Sequence, residues 1–212
     1  MTAADEADEA EESAAARGPR TRILAAARQV FAEKGFWGGT LNEVAVAAGL
    51  TRPGLLHYYP SKQDVLIALL EDRDRWVREA VPDRAAGATM IEYLDAELTD
   101  VLPVLLEERR LMQLAHMMTA EAASEQHPAH DWVAARYEAI RDRLSDCVRS
   151  SIAAGDAPST IDPESTAAAM LGTMEGLENQ WLVDPDAVDV AHTLAQLRIL
   201  LTAARPGPST GA

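Results

Sequence analysis

A single cysteine, Cys147, stands in the whole chain, so no disulfide can close within it and no thiolate cluster can hold a metal. That usage suits a reducing cytoplasm. Aromatic side chains are only 5% of the residues, and Val and Ile are few beside Ala and Leu. Strands draw on β-branched and aromatic side chains, helices on small and unbranched ones, so the balance predicts an all-α fold. Nowhere do about 18 apolar residues run uninterrupted, and the N-terminal MTAADEADEAEESAAA lacks a basic stretch followed by an apolar core. The chain is expected to be cytoplasmic, neither exported nor membrane-spanning. Glycine-rich phosphate loops, alternating strand patterns and internal repeats are missing, as are the Gly-x-Ser-x-Gly and His-Glu-x-x-His motifs. No catalytic, cofactor-binding or metal-binding set is therefore expected.

Basic residues are also scarce, 19 against 34 acids, and the net charge of −15 argues at first against nucleic acid as a partner. Charge acts by region, however. Residues 1–16 carry six acids and no base. Residues 17–62 carry seven bases (Arg17, Arg20, Arg22, Arg28, Lys34, Arg52, Lys62) and two acids (Glu33, Glu43). Residues 63–212 carry twelve bases and twenty-six acids. A small basic module of net +5 thus lies between acidic blocks of −6 and −14.

What is present is helical periodicity with clear punctuation. Residues 1–16 are small and acidic, without apolar periodicity, and predict a disordered tail. From Thr21, the residues Ile23, Ala27, Val30 and Phe31 recur at helical spacing, and Gly35 follows where a left-handed cap is wanted. TLNE then offers a reciprocal cap between Thr40 and Glu43, opening a second helix that buries Leu41, Val44, Ala45 and Ala48 and ends at Gly49. In TRPGLLHYYPSK, Thr51 serves as an N-cap. Pro53 then falls in the first turn, where its missing N–H costs nothing. Gly54 leaves a bare backbone, Leu55 and one of Tyr58 and Tyr59, with Tyr59 favoured, face the core, and Pro60 ends the helix. Ser61 caps a long fourth helix. Five further helices are predicted, at about 88–106, 108–124, 128–154, 163–182 and 186–204, with Pro103 kinking or shortening the first of them. The total is about nine. The organisation expected is a tail at 1–16, a three-helix DNA-binding domain at 17–66, a helical ligand-binding and dimerisation domain at 67–204, and a frayed tail at 205–212.

Two short helices joined by a glycine turn, after a longer helix and within the basic block, make a helix-turn-helix, whose second helix enters the major groove. The stretch TRILAAARQVFAEKGFWGGTLNEVAVAAGLTRPGLLHYYPSKQDVLIALL resembles the DNA-binding domain of TetR-type transcriptional regulators, with its capped Thr, Ala-Gly-apolar-Thr turn, aromatic pair and Ser-Lys. TAEAASEQHPAHDWVAARYEAIRDRL and GLENQWLVDPDAVD are similar to an actinobacterial-style subgroup with a BetI-type C-terminal domain. The resemblance implies a homodimer that binds a pseudo-palindromic operator, with repression relieved by a small-molecule effector. Its positions assign Thr40, Tyr58 and Lys62 to phosphates, and Arg52 and His57 to base edges. Thr51, Pro53 and Gly54 allow close approach. Leu56 departs from the pattern, which often has an aromatic there; it cannot bond a phosphate and is left a thymine methyl to touch.

Further along, Trp76, Met112, Met117, Met118, Trp132, Met170 and Met174 are either ordinary core or the wall of a pocket, and His116, Tyr137, Glu175 and Glu178 interrupt them with polar groups. Carboxylates near tryptophan would suit a cationic or hydroxylated ligand. His127 and His130 in HPAH straddle a proline with Glu121 and Glu125 near; that spacing fits a helix start better than a metal. The last two helices are too apolar for one-sided burial. Ala168, Gly172, Trp181, Leu194, Leu197 and Leu201 are expected in a four-helix, isologous dimer interface, which would set two recognition helices about 34–36 Å apart. The competing possibility is a helical ligand-binding or hydrolytic protein that does not bind DNA.

Overall fold

The computed structural model describes residues 18–80 and 87–203, and every described element is helical. The tails expected at 1–16 and 205–212, and most of the break at Pro82 to Gly87, lie outside those residues. The contacts divide the chain into two units.

The first unit takes the described residues as far as Asp74 together with Gln113–His130. Helix α1, Pro19–Gly38, opens with proline in its first turn and buries Ile23, Ala26, Ala27, Val30 and Phe31 along one face. Its regular part stops at Gly35, whose φ of 69° and ψ of 175° fall in a region that only glycine adopts without strain. The cap is therefore a glycine with positive φ, as the periodicity demands, but its ψ lies outside the left-handed helical well.

Helix α2, Leu41–Ala47, starts on the reciprocal cap. The Glu43 amide donates to Thr40 Oγ1 at 3.2 Å and the Thr40 amide to Glu43 Oε2 at 2.9 Å. Gly49 turns the chain at φ 66°, and the Leu50 amide reaches back to the Ala45 carbonyl at 2.9 Å. Helix α3, Arg52–Tyr58, begins at Thr51, whose hydroxyl accepts from the Gly54 amide at 3.2 Å. Of its residues only Leu55 is buried; just beyond, Tyr59 is buried while Tyr58 is half-exposed. Helix α4, Lys62–Ala80, follows Ser61, which accepts from the Asp64 amide.

The second unit takes Arg75–Met112 and the described residues from Asp131 onward. Helix α5, Met90–Ala96, is capped by a second Thr–Glu box, Thr89 with Glu92. It runs without interruption through a wider π turn, Glu97–Val101, into α6, Leu102–Glu107. Pro103 thus neither ends nor shortens the predicted helix. Proline removes one amide and crowds the carbonyl four residues back. The preceding turn accommodates it by widening, with the Leu102 amide bonded to the Glu97 carbonyl five residues back.

Helices α7 (Arg109–Glu121), α8 (His130–Ala153), α9 (Pro163–Val183) and α10 (Val190–Ala203) complete the described chain. With 90–107 taken as one helix the described residues hold nine. Helix α10 begins later than position 186 because Asp189 is its cap, accepting from the His192 amide at 2.8 Å. The core of this unit gathers Leu94, Leu102, Leu144, Val148, Ala167, Met170, Met174 and Leu194. The Met90 amide is satisfied inside it by Ser151 Oγ at 2.8 Å.

The division is discontinuous, whereas the sequence suggests one boundary near residue 66. The segment 113–130 is sequestered by the first unit through specific bonds described below. Helix α7 consequently contributes residues to both units.

Candidate nucleic-acid interface

In α3 the cap and the core contact fix everything else. Thr51 sets the helix start, Leu55 at 0% exposure and Tyr59 at 6% set its rotation, and Arg52, Pro53 and His57 are left exposed. Gly54 is only half-buried, and a Cβ placed on it would meet nothing of the chain but Thr51 Oγ1 at 3.3 Å. A side chain there would press only on the cap hydroxyl, which would have to shift by a few tenths of an ångström. Leu56 and Tyr58 are half-exposed, and the rings of His57 and Tyr58 meet edge to face at 5.3 Å. Arg20, at the start of α1, lies over Tyr59 at 5.2 Å and Tyr58 at 6.0 Å. Cation–π contact of this kind fastens the aromatic pair from the side. The seven-base block announced Arg20 as a charge; only the fold gives it that seat.

Thr40 is exposed at the α2 N-terminus, where free amides favour an anion. Its partner Glu43 also binds Lys34. The Lys34 ammonium, then the Thr40 hydroxyl and amide, hold the Glu43 carboxyl down at about 2, and Lys34 is raised in turn.

Lys62 opens α4 and is half-exposed. Its ammonium stands 4.3 Å above the ring of Phe36 and donates to the Trp37 carbonyl at 3.5 Å. Burial pushes its pKa down, partly offset by the carboxylates of Glu121 and Glu43.

Phe36 and Trp37 were not singled out by sequence, and Glu121 and His127 were weighed there only for a metal. Glu121 Oε2 accepts from the Phe36 amide at 2.8 Å and lies 3.4 Å from His127 Nε2. The His127 ring is wholly buried, edge-on to Phe36 at 5.1 Å and Trp37 at 5.7 Å. His130 Nδ1 meets the Ala122 carbonyl at 2.8 Å, within the turn where a helix start was expected.

The residues proposed for a pocket divide. Trp76 and Met112 join Val101, Leu105, Trp181 and Leu182 in one apolar cluster. Tyr137 packs with Met170 and Met174, and its hydroxyl donates to Glu175 Oε2 at 2.9 Å. Trp132 and Glu178 are half-buried, and His116, also half-buried, lies one turn beyond Met112 on α7 although it groups with the first unit.

At the expected dimer face, Ala168 and Gly172 are exposed, and a Cβ on Gly172 would meet nothing. Leu194 is 1% exposed in the unit's own core, Leu197 and Trp181 pack against that core, and the Leu201 side chain lies outside the described residues. Apolar exposure on α10 sits instead on Ile199 and Leu200. Helical rotation explains the exchange: positions 194 and 197 share one face and 199 and 200 turn away from it.

A short capped helix carrying exposed Arg and His, set on a glycine turn in a basic block, defines a helix-turn-helix regulator. Residues 23–69 match the family described as bacterial regulatory proteins of the tetR family, and residues 90–206 match the BetI-type transcriptional repressor C-terminal domain. The chain belongs to the TetR family of transcriptional regulators. It is similar to the HTH-type transcriptional regulator TtgR of Pseudomonas putida, 26% identical over 183 residues that cover 82% of this chain and 85% of the relative. Among solved structures it is similar to Salmonella enterica GusR, with TM-score 0.67 and 26% identity over 88% of this chain and 95% of the other. The fold is shared with Bacillus subtilis FadR in complex with stearoyl-CoA, TM-score 0.69 and 18% identity over 86% and 97% of the two chains.

Proposed function

We propose that the protein is a dimeric repressor in the cytoplasm that binds a pseudo-palindromic operator and lets go when a small molecule binds its second unit. One observation carries this: α3 is rotated by Leu55 and Tyr59 so that Arg52 and His57 are exposed on a basic module. Arg52 reads guanine through its forked donors and His57 a neighbouring base edge. Thr40, Tyr58 and Lys62 hold phosphates and so fix register. Thr51, Pro53 and Gly54 let the helix start approach the groove, and Leu56 meets a thymine methyl.

Dimerisation uses the exposed small face of α9 at Ala168 and Gly172 together with Ile199 and Leu200 on α10. For the effector, the apolar groups Trp76, Met112, Met170 and Met174 supply contact area and the Tyr137–Glu175 pair a polar handle. FadR, of the same fold, is in complex with stearoyl-CoA, which supports a small-molecule ligand here. Release is a population shift: the effector favours a conformer in which the two recognition helices no longer match successive major grooves.

The test is selection of bound duplexes from a random pool. A recovered palindrome whose binding falls steeply with salt is the expected result, because neutralised phosphates release counterions. Salt-insensitive binding, or none, would overturn the reading.

A further inference from the structure

The bond from Phe36 to Glu121 joins residues 85 positions apart and meets a specific need. At Gly35 the backbone leaves the helix, so the Phe36 amide loses its place in the helical ladder. Glu121 Oε2 takes that amide at 2.8 Å. A Cβ on Gly35 would stand 2.2 Å from Glu121 Oε1, so the glycine serves the carboxylate as well as the backbone angle.

His127 completes the arrangement. Its Nδ1 accepts from the Ala129 amide at 3.2 Å, which places the ring proton on Nε2, facing Glu121 Oε2 at 3.4 Å. The ring wedges edge-on against Phe36 and Trp37, the two residues that seat the Lys62 ammonium. All of these groups lie in the first unit.

We propose that Glu121 and His127 are positioning residues for DNA binding, latching the Gly35–Trp37 turn and through it fixing the ammonium of Lys62 for a phosphate. This rests on the DNA-binding reading above. The latch is supplied by the segment that ends α7, a helix whose earlier residues belong to the other unit. A movement of α7 would withdraw the carboxylate and loosen the phosphate contact without touching α3.

The test uses the full chain, each variant held where circular dichroism shows it folded. Glu121→Ala removes the acceptor; Glu121→Gln keeps a carbonyl oxygen able to accept from the Phe36 amide. Hydrogen exchange at the Phe36 amide should quicken by about tenfold in Glu121→Ala and stay near wild type in Glu121→Gln. On a duplex selected with the wild type, Glu121→Ala should bind about tenfold more weakly, with a salt slope shallower by about one, and Glu121→Gln should bind within about threefold of wild type. Added to Lys62→Ala, Glu121→Ala should cost less than about twofold more, because both remove the same contact. Unchanged Phe36 exchange in Glu121→Ala overturns the latch; additive losses with Lys62→Ala overturn its action through Lys62. A wild type that binds no duplex sinks the DNA-binding reading and the role with it, while the exchange result still decides whether the latch exists.

Discussion

The reading module and the helical second unit are held in different ways. In the module, three successive helix starts are fixed over three residues each, by Thr40 with Glu43, Thr51 with Gly54 and Ser61 with Asp64. The second unit has local caps of its own at Thr89, Asp162 and Asp189, and is tied besides by bonds between distant segments: Tyr137 to Glu175, Arg109 to the Leu182 carbonyl, Arg198 to Asp95. Local bonds fix where a short helix starts and the core contacts of Leu55 and Tyr59 fix which way it faces, which suits a surface that must meet a regular groove. Long-range bonds leave the relative positions of helices as the variable, which suits a region that must answer a ligand.

The largest effect that tests this contrast is a cavity in each core. Leu55 and Leu144 are both 0% exposed, and each substitution by alanine should cost about 3 kcal/mol in urea unfolding. Their consequences for recognition should diverge. Leu55→Ala removes the contact that rotates α3 and should abolish sequence preference. Leu144→Ala should leave the selected sequence unchanged; a new preference there would break the separation of roles.

Next in size is the division of labour within the module. Arg52→Ala should relax the choice at one base pair by about 1–3 kcal/mol, measured by selection, since a bidentate contact is lost. Lys62→Ala should weaken all sequences alike and flatten the salt slope by about one. If both variants relax base preference equally, the assignment of phosphate and base contacts is wrong.

The same contrast governs how much could be read without coordinates. The caps, the glycine stops, the burial of Leu55 and the first-turn proline follow from rules that reach four residues at most, and the matched family segments 23–69 and 90–206 cover nearly all of the stretches that carry the resemblance. Of the aromatic pair Tyr59 is the one expected in the core, and the extended cap after Tyr58 turns it inward. Glu121 was not legible as a partner of the reader: no local rule joins position 121 to Phe36. Leu194 and Ile199 were equally apolar on paper, and only the rotation of α10 against its neighbours buries the one and exposes the other. The π turn before Pro103 was hidden because a proline's effect depends on whether the preceding turn can widen.

A smaller effect should appear on acidification. Glu43 is held at about 2, against an ordinary 4.5, by Lys34 first and Thr40 next. A depressed carboxyl stabilises the fold above the unfolded value and loses that stabilisation as pH falls from about 4.5 toward 2. Glu92 and Asp162, lowered by their bonds to Thr89 and Ser165, carry the same sign in the second unit. Thermal melts should therefore begin to decline below about pH 6.5, where unfolded His127 takes a proton that its buried ring resists, and fall further below about pH 5 as these carboxyls protonate. Glu43→Gln should reduce that fall; an unchanged profile would mean that the Lys34–Glu43–Thr40 set adds nothing to the module.

The smallest expected effect concerns the acidic block at residues 1–16, six acids beside a module of net +5. Its charges can occupy the basic face in competition with phosphate, but each such pairing is exposed and weak. Deleting the block should raise duplex affinity a few-fold at low salt, where the Debye length is about 30 Å, and hardly at all at about 0.15 M, where it is about 8 Å. A gain that persists at high salt would point to steric obstruction instead of charge. No gain at low salt would mean that the two blocks do not meet, and that the module's charge is available to DNA undiminished.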